Sequence, residues 1–509
     1  MNPFLKTAPP ILTRRSFTSR LAYAGLGGFA AANTIRDLRL INTAMAAQGP
    51  VAGYKALVCL FLAGGNDASN MIVPTDTTTY DAYTAIRGNL TLPKANLLPL
   101  YSSGTTPYQD ADGHNYGFHP SFGEMQTLFS EDKLAVVMNI GTLVRPTTKA
   151  QYTSGLAAYR PPQLFSHSDQ VTQWQTSIPD QPPATGWGGR MTDILDSVAN
   201  PNGSISMSVS LNGANTWEVG NLVSQYQVST SGAVVLNGSF MSGTSARVRA
   251  MRDILYNGAA TIAQSHTNLQ RGAVAAITEN AIATGDLLNT NIAATVEVAQ
   301  GGTWTWTTPF PNNDLGNQMK MIARLIQARG DAATPQVNKF NMARQIFFCQ
   351  AGGYDTHTSQ VLVAGTDQPT NPAGAHYTLL NTVSECMYAF QRAMEQIGAS
   401  NSVTTFTASD FGRTLPTNSQ GSDHGWGSHH LVMGGAVNGG QLYGQLPAYA
   451  VNGPNDTGLG RWIPALAVDQ HAATLARWFG VDSSEMATIF PNLSRFPGSY
   501  GGGYLGFMA

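Results

Sequence analysis

Near-continuous apolar runs alternate with amphipathic stretches along most of the chain. Residues 55–63, KALVCLFLA, are apolar at all but the first position, the pattern of a strand covered on both faces. The run stops at Gly64-Gly65-Asn66-Asp67, where glycines permit a tight turn and close backbone approach. The pattern predicts a helix at about 121–131, a strand at about 134–140, and a helix opening at Ser166 in LFSHSDQVTQWQTS. GWGGR is a tight turn that places Arg190 at a following helix, and ISMSVSLNG and GAVVLNGS read as strands. Helical periodicity runs from about 245 to 298 and again from 315 to 329. Beyond it come a strand into GGYDTH, a helix over 374–397, the strand VTTFTA, the buried strand LVMGGAV, and a helix over 469–480 stopped by Gly480. Strands interleaved with helices predict an α/β domain around a mostly parallel sheet, with a helical insertion at about 205–330.

Composition narrows the class of partner. Charged residues make up 11% of the chain and apolar ones 42%, with 53 glycines, so the surface is mostly neutral and polar. No basic patch is written in it, which argues against nucleic acid as a partner. Cys59, Cys349 and Cys386 form neither a CxxC pair nor a disulfide framework and read as buried free thiols. Near the start, Arg14 and Arg15 in TRRSF precede the weakly apolar run from Leu21 to Ala32 and the small-x-small triplet Ala44-Met45-Ala46. This pattern predicts a twin-arginine export signal over residues 1–46, hence export to the periplasm or beyond by the twin-arginine machinery. The apolar run is too short to span a bilayer, and no other stretch reaches that length. Without residues 1–46 the net charge is about −7.

Candidate chemistry gathers between residues 345 and 435. Asp355 and His357 follow a buried strand and two glycines, Asp410 follows VTTFTAS, and DHGWGSHH adds Asp423, His424, His429 and His430. Carboxylate oxygen with neutral imidazole nitrogen is the donor mixture that divalent metals prefer. Strand ends deliver such groups to the carboxyl edge of an α/β sheet, where ligands bind. Arg413 beside the carboxylates suits either an anion clamp or a salt bridge. Ser166, at a helix start, suits a cap or a nucleophile.

The segments RRSF, LAGGND, SHSDQ, GWGGR, GGYDTH, SDFGRT, DHGWGSHHLVMGG and RWIPALAVDQHAATLARWFGV together resemble the landmarks of the DUF1501 family over nearly all of the chain beyond the export segment. More distantly the chain resembles the alkaline phosphatase and sulfatase superfamily. That resemblance implies a three-layer αβα domain over 47–509 with a mostly parallel central sheet. It further implies hydrolysis of phosphate or sulfate esters, using metals and a Ser, Thr or formylglycine nucleophile. It assigns Asp67, Asp355, His357, Asp410 and His424 to one or two divalent ions, Ser166 to the nucleophile, and Arg413 or Arg190 to charge stabilisation. Two departures stand out. Asp355 and His357 are closer than the usual D-x-x-x-H, and Asp410 precedes Phe411 rather than a histidine, so one metal site lacks an imidazole unless His429 or His430 supplies it. No cysteine stands in a C-x-P-S-R setting, which argues against formylglycine. The expected function is an exported, metal-dependent hydrolase of a small anionic ester. The alternative is a non-catalytic glycan- or envelope-binding protein on the same scaffold.

Overall fold

The computed structural model describes residues 53–102, 105–233, 283–293, 295, 305–331, 336, 337, 339–361, 374–496 and 504–509. The expected export segment lies outside them, as does most of the 245–298 stretch, of which 283–293 are helical. One compact unit, Val51–Val234 with Thr284–Ala509, contains the sheet and the helices described below.

Ten strands form the central sheet: β1 (Lys55–Leu62), β2 (Leu134–Gly141), β3 (Ser208–Ser210), β4 (Tyr226–Ser229), β5 (Gly232–Ala233), β6 (Arg344–Ala351), β7 (Val403–Ser409), β8 (Ser428–Met433), β9 (Gln441–Tyr443) and β10 (Leu466–Ala467). Their order is β5-β4-β3-β6-β1-β7-β8-β2-β9, and β10 also pairs with β2. Only β5 and β8 run antiparallel to their neighbours. The most apolar runs occupy the middle: β1 lies between β6 and β7, parallel to both.

Helices cover both faces. Cys59, Phe348 and Phe406 are register partners and share one face. There Phe406 meets Trp187 of α3 (Trp187–Ala199) and His471 of α6 (Val468–Phe479), with ring centroids 5.6 and 5.8 Å apart. α2 (His167–Thr176) joins that layer beside α3. The opposite layer holds α1 (Gly123–Ser130), α4 (Asp314–Gln327) and α5 (Ala375–Gln396), with α5 packed on both of the others. The chain therefore adopts the three-layer αβα architecture with a mostly parallel sheet. All three cysteines are buried free thiols.

Two differences from the sequence pattern bear on function. The strand expected to begin at Leu431 begins at Ser428, so His429 and His430 are buried sheet residues. His430 packs on Trp174 and His429 on Trp462. The strand at 226–229, polar and near the sheet edge, falls outside the expected set because YQVS lacks an apolar run.

Five histidines are buried without a compensating charge at the ring: His119, His376, His429, His430 and His471. Burial penalises their charged form, depressing His376 to about 4 and His429 and His471 to about 3, with His119 and His430 also well below normal. Burial has the opposite effect on two carboxyls, raising Glu218 to about 8 and Asp469 to about 7. As pH falls from about 8 toward 6.5, those two folded carboxyls take up protons that the unfolded chain does not, so stability rises. Below about 6.5 the unfolded chain protonates five histidines that the folded chain keeps neutral, so stability falls. Thermal melts across pH 4–9 are expected to peak at about pH 6–7, with a steep acid limb. A midpoint still rising from pH 6 to 4 would refute this assignment of buried neutral imidazoles.

Candidate metal centre

Register positions the candidate site. Leu62 of β1 pairs with Ala351 of β6 and with Ser409 of β7, so three adjacent parallel strands end level. The loops that follow carry Gly64-Gly65, Asp355 to His357, and Asp410. These loops touch backbone to backbone. Gly64 has φ +121°, and a Cβ there would lie 2.3 Å from the Asp355 nitrogen, so only glycine fits. The Gly64 N–H donates to Asp410 Oδ1 at 2.9 Å. A fourth segment leads into α2 through Gln163 at φ +52° and Phe165 at φ +73°. A left-handed backbone is rare for a residue as bulky as phenylalanine, and such strain gathers at functional sites. At Phe165 it aims the carbonyl oxygen at His424, whose Nδ1 donates to it at 2.8 Å.

Three imidazoles are held in one way. His167 Nδ1 donates to Asp410 Oδ2 at 2.7 Å, His357 Nδ1 to Asp423 Oδ1 at 3.1 Å, and His424 Nδ1 to the Phe165 carbonyl. Carbonyls and carboxylates only accept, so each Nδ1 bears a proton, and a ring that is neutral then has its lone pair on Nε2. The three Nε2 atoms meet at Asp355: His357 and His424 are each 3.2 Å from Oδ1, and His167 is 3.5 Å from Oδ2. His357 Nε2 and His424 Nε2 stand 2.8 Å apart. Two lone pairs repel at that distance; a proton shared between the nitrogens, or a cation bound beside both, relieves the repulsion. Burial depresses the His424 pKa against the pull of the Phe165 carbonyl, and the Arg413 charge adds to the depression, so a proton on this ring is disfavoured. The ligand atoms of His167, Asp355 and His424 all lie within 4.8 Å of one another. A His/Asp/His cluster able to coordinate a metal ion is therefore present, with His357 adjoining it. Imidazoles backed by carboxylate or carbonyl oxygens are the usual surroundings of a bound metal.

Arg413 organises this cluster from beneath. It is buried, and its guanidinium donates to the carbonyls of Gly64, Gly65, Tyr354 and Ser422 and, at 2.5 Å, to Asp355 Oδ1. Partial burial raises the Asp355 pKa, but Arg413 outweighs it and keeps the carboxyl below its ordinary value. Asp423 is likewise lowered, its burial outweighed by hydrogen bonds from Asn418 and His357. Phe411 walls one side, with its ring 4.5 Å from that of His424 and 4.8 Å from that of His167.

Of the residues expected from the sequence, Asp355, His357, Asp410 and His424 converge. Asp410 does so as the partner that orients His167. Asp67 is turned elsewhere: fully buried, it spends Oδ2 on an ion pair with Arg87 and a hydrogen bond from Gln360. Arg190 is also committed elsewhere, its guanidinium donating to the carbonyls of Thr176, Thr185 and Ile489. His429 and His430 belong to the core, so neither joins the cluster; its further imidazole is His167, from another segment. Ser166 is the N-cap residue of α2, yet its hydroxyl caps no amide and instead donates to Asp169 Oδ2 at 2.6 Å. His167, one residue on, is the cluster member the sequence hides, because SHSDQ offers five polar side chains at a helix start.

A cavity of about 340 Å³ lined by Lys55, Arg477, Trp478 and Tyr504 lies at the amino end of β1, the edge opposite the cluster. The loop contact at Gly64 makes a direct prediction. Gly64→Ala should destabilise the fold by about 2 to 4 kcal/mol, through the collision with Asp355 and the positive φ. A denaturant midpoint unchanged from wild type would show that the two loops are not packed as described.

Fourteen solved chains are similar to this one. One is Ps i-CgsB in complex with k-i-k-neocarrahexaose, 8% identical over 87% of this chain and 77% of that one, with a TM-score of 0.30. Another is the PsFucS1 sulfatase from Pseudoalteromonas sp., 11% identical over 88% of this chain and 72% of that one, with a TM-score of 0.29. No curated protein matches the chain. The family model described as "Protein of unknown function (DUF1501)" matches residues 54–482, and the chain belongs to that family.

Proposed function

We propose that the chain is an exported, metal-dependent hydrolase of phosphate or sulfate esters. The convergence of three imidazole Nε2 atoms on Asp355, each ring oriented through Nδ1 by an outer oxygen, carries this reading. Export rests on the twin-arginine pattern of residues 1–46. His167, His424 and Asp355 would hold one divalent ion, with His357 as a further ligand. Such an ion would supply Lewis acidity toward an ester oxygen and offset charge on the transferring group. Asp410, Asp423 and the Phe165 carbonyl fix the tautomers that direct Nε2 inward, and Arg413 keeps Asp355 ionised.

Ser166 is the nucleophile in this reading. Its hydroxyl is free of capping and directs its proton to Asp169 Oδ2, so the carboxylate takes the proton as the oxygen attacks the phosphorus or sulfur. The ester oxygen of the substrate departs, and water then releases the group from Ser166.

Elemental mass spectrometry of the folded protein should find zinc, manganese or another divalent ion at one equivalent, lost in His424→Ala and Asp355→Ala. Asp410→Asn should weaken metal affinity by about 10- to 100-fold, because it alters the oxygen that orients His167 while leaving an acceptor for the Gly64 N–H. A wild-type protein that takes up no stoichiometric metal after reconstitution would overturn the hydrolase reading in favour of a non-catalytic binding scaffold. Turnover of aryl phosphate and aryl sulfate esters should fall at least about 100-fold in Ser166→Ala. Full turnover by that variant would move the attack from Ser166 to water.

A further inference from the structure

We propose that Arg461 is the anion-recognition residue of this centre, binding two oxygens of a tetrahedral phosphate or sulfate group through its terminal nitrogens. The assignment rests on the hydrolase reading and adds to it the substrate's charged group and the residue that selects it. Arg461 is held from three directions. Its guanidinium lies over the Phe165 ring, 4.2 Å from the centroid. Its Nε donates to the His424 carbonyl at 2.7 Å. Its backbone N–H donates to Asp456 Oδ1, also at 2.7 Å. Phe165 and His424 are themselves joined through the His424 Nδ1 bond, so the two residues that fix the guanidinium are those that shape the cluster.

The fixed plane leaves Nη1 and Nη2 with no hydrogen-bond acceptor among the described residues, on a side chain that is only half-buried. Asp423, within electrostatic reach of Arg461, accepts from His357 and Asn418 through Oδ1 and forms no close ion pair with Arg461 among the described residues. The two cations expected to serve are committed, Arg413 to five oxygens around the loops and Arg190 to backbone carbonyls, and the nearby Arg87 is paired with Asp67. A planar fork with two outward donors fits two oxygens of a phosphate or sulfate, and holding it beforehand reduces the ordering lost on binding. A neutral ester would offer it no partner.

Calorimetric titration of inorganic phosphate and of sulfate into the full chain, at fixed ionic strength, tests this. Wild type, Arg461→Gln and Arg461→Lys are compared, with metal content measured on the same samples. Arg461→Gln should weaken anion binding about 10- to 100-fold, the scale of lost charge-assisted hydrogen bonds. Arg461→Lys, which keeps the charge and loses the fork, should fall between the two. Metal content should not change. Preference for phosphate or for sulfate supports the assignment in either case and names the ester. Equal affinity in wild type and Arg461→Gln, or no binding of either anion by wild type, overturns it. Metal content and ester turnover judge the hydrolase reading separately, so either reading can fail while the other stands. Arg461→Lys keeps the test decisive if Arg461→Gln misfolds.

Discussion

The backbone contact between the loops after β1 and β6 is the constraint on which the centre depends. Three parallel strands ending level bring their loops to one edge, but level ends alone leave side chains several ångströms from a common point. Gly64 removes that gap by letting one loop lie directly on the next. Its amide then fixes Asp410, and its carbonyl helps seat Arg413. Arg413 in turn gathers four carbonyls and Asp355, so one buried cation holds the geometry of three loops. Removing it would leave those carbonyls and the carboxylate without their shared donor, which costs more than the net worth of the bonds themselves.

Much of this arrangement was legible in the sequence. KALVCLFLA and VTTFTAS read directly as buried central strands, and the polar residues after them read as edge groups, because a parallel sheet presents its loops in that way. Asp355, His357, Asp410 and His424 followed from that logic. Other residues were opaque for physical reasons. Asp67 occupies an equivalent position after β1, yet its partner Arg87 ends a helix twenty residues on, and no local pattern announces a buried ion pair. His429 and His430 stand in a glycine-rich cluster that looks like a loop. They are strand residues because Ser428–Met433 pairs with β2, and Trp174 and Trp462 cover their rings.

His167 shows the converse. A lone histidine at a helix start carries no signal, and it gains a role only because Asp410 meets it across the sheet edge. Phe411, which follows Asp410, is an apolar wall against which the His167 and His424 rings rest.

The cluster draws its groups from three regions far apart in the chain, around residues 165, 355 and 410–424. An unfolded chain does not hold these regions together, so a cation that prefers the converged donors favours the folded state. Its binding would add to native stability by mass action. Such a centre would work as a clasp, fastening distant parts of the chain over the sheet edge that brings them together.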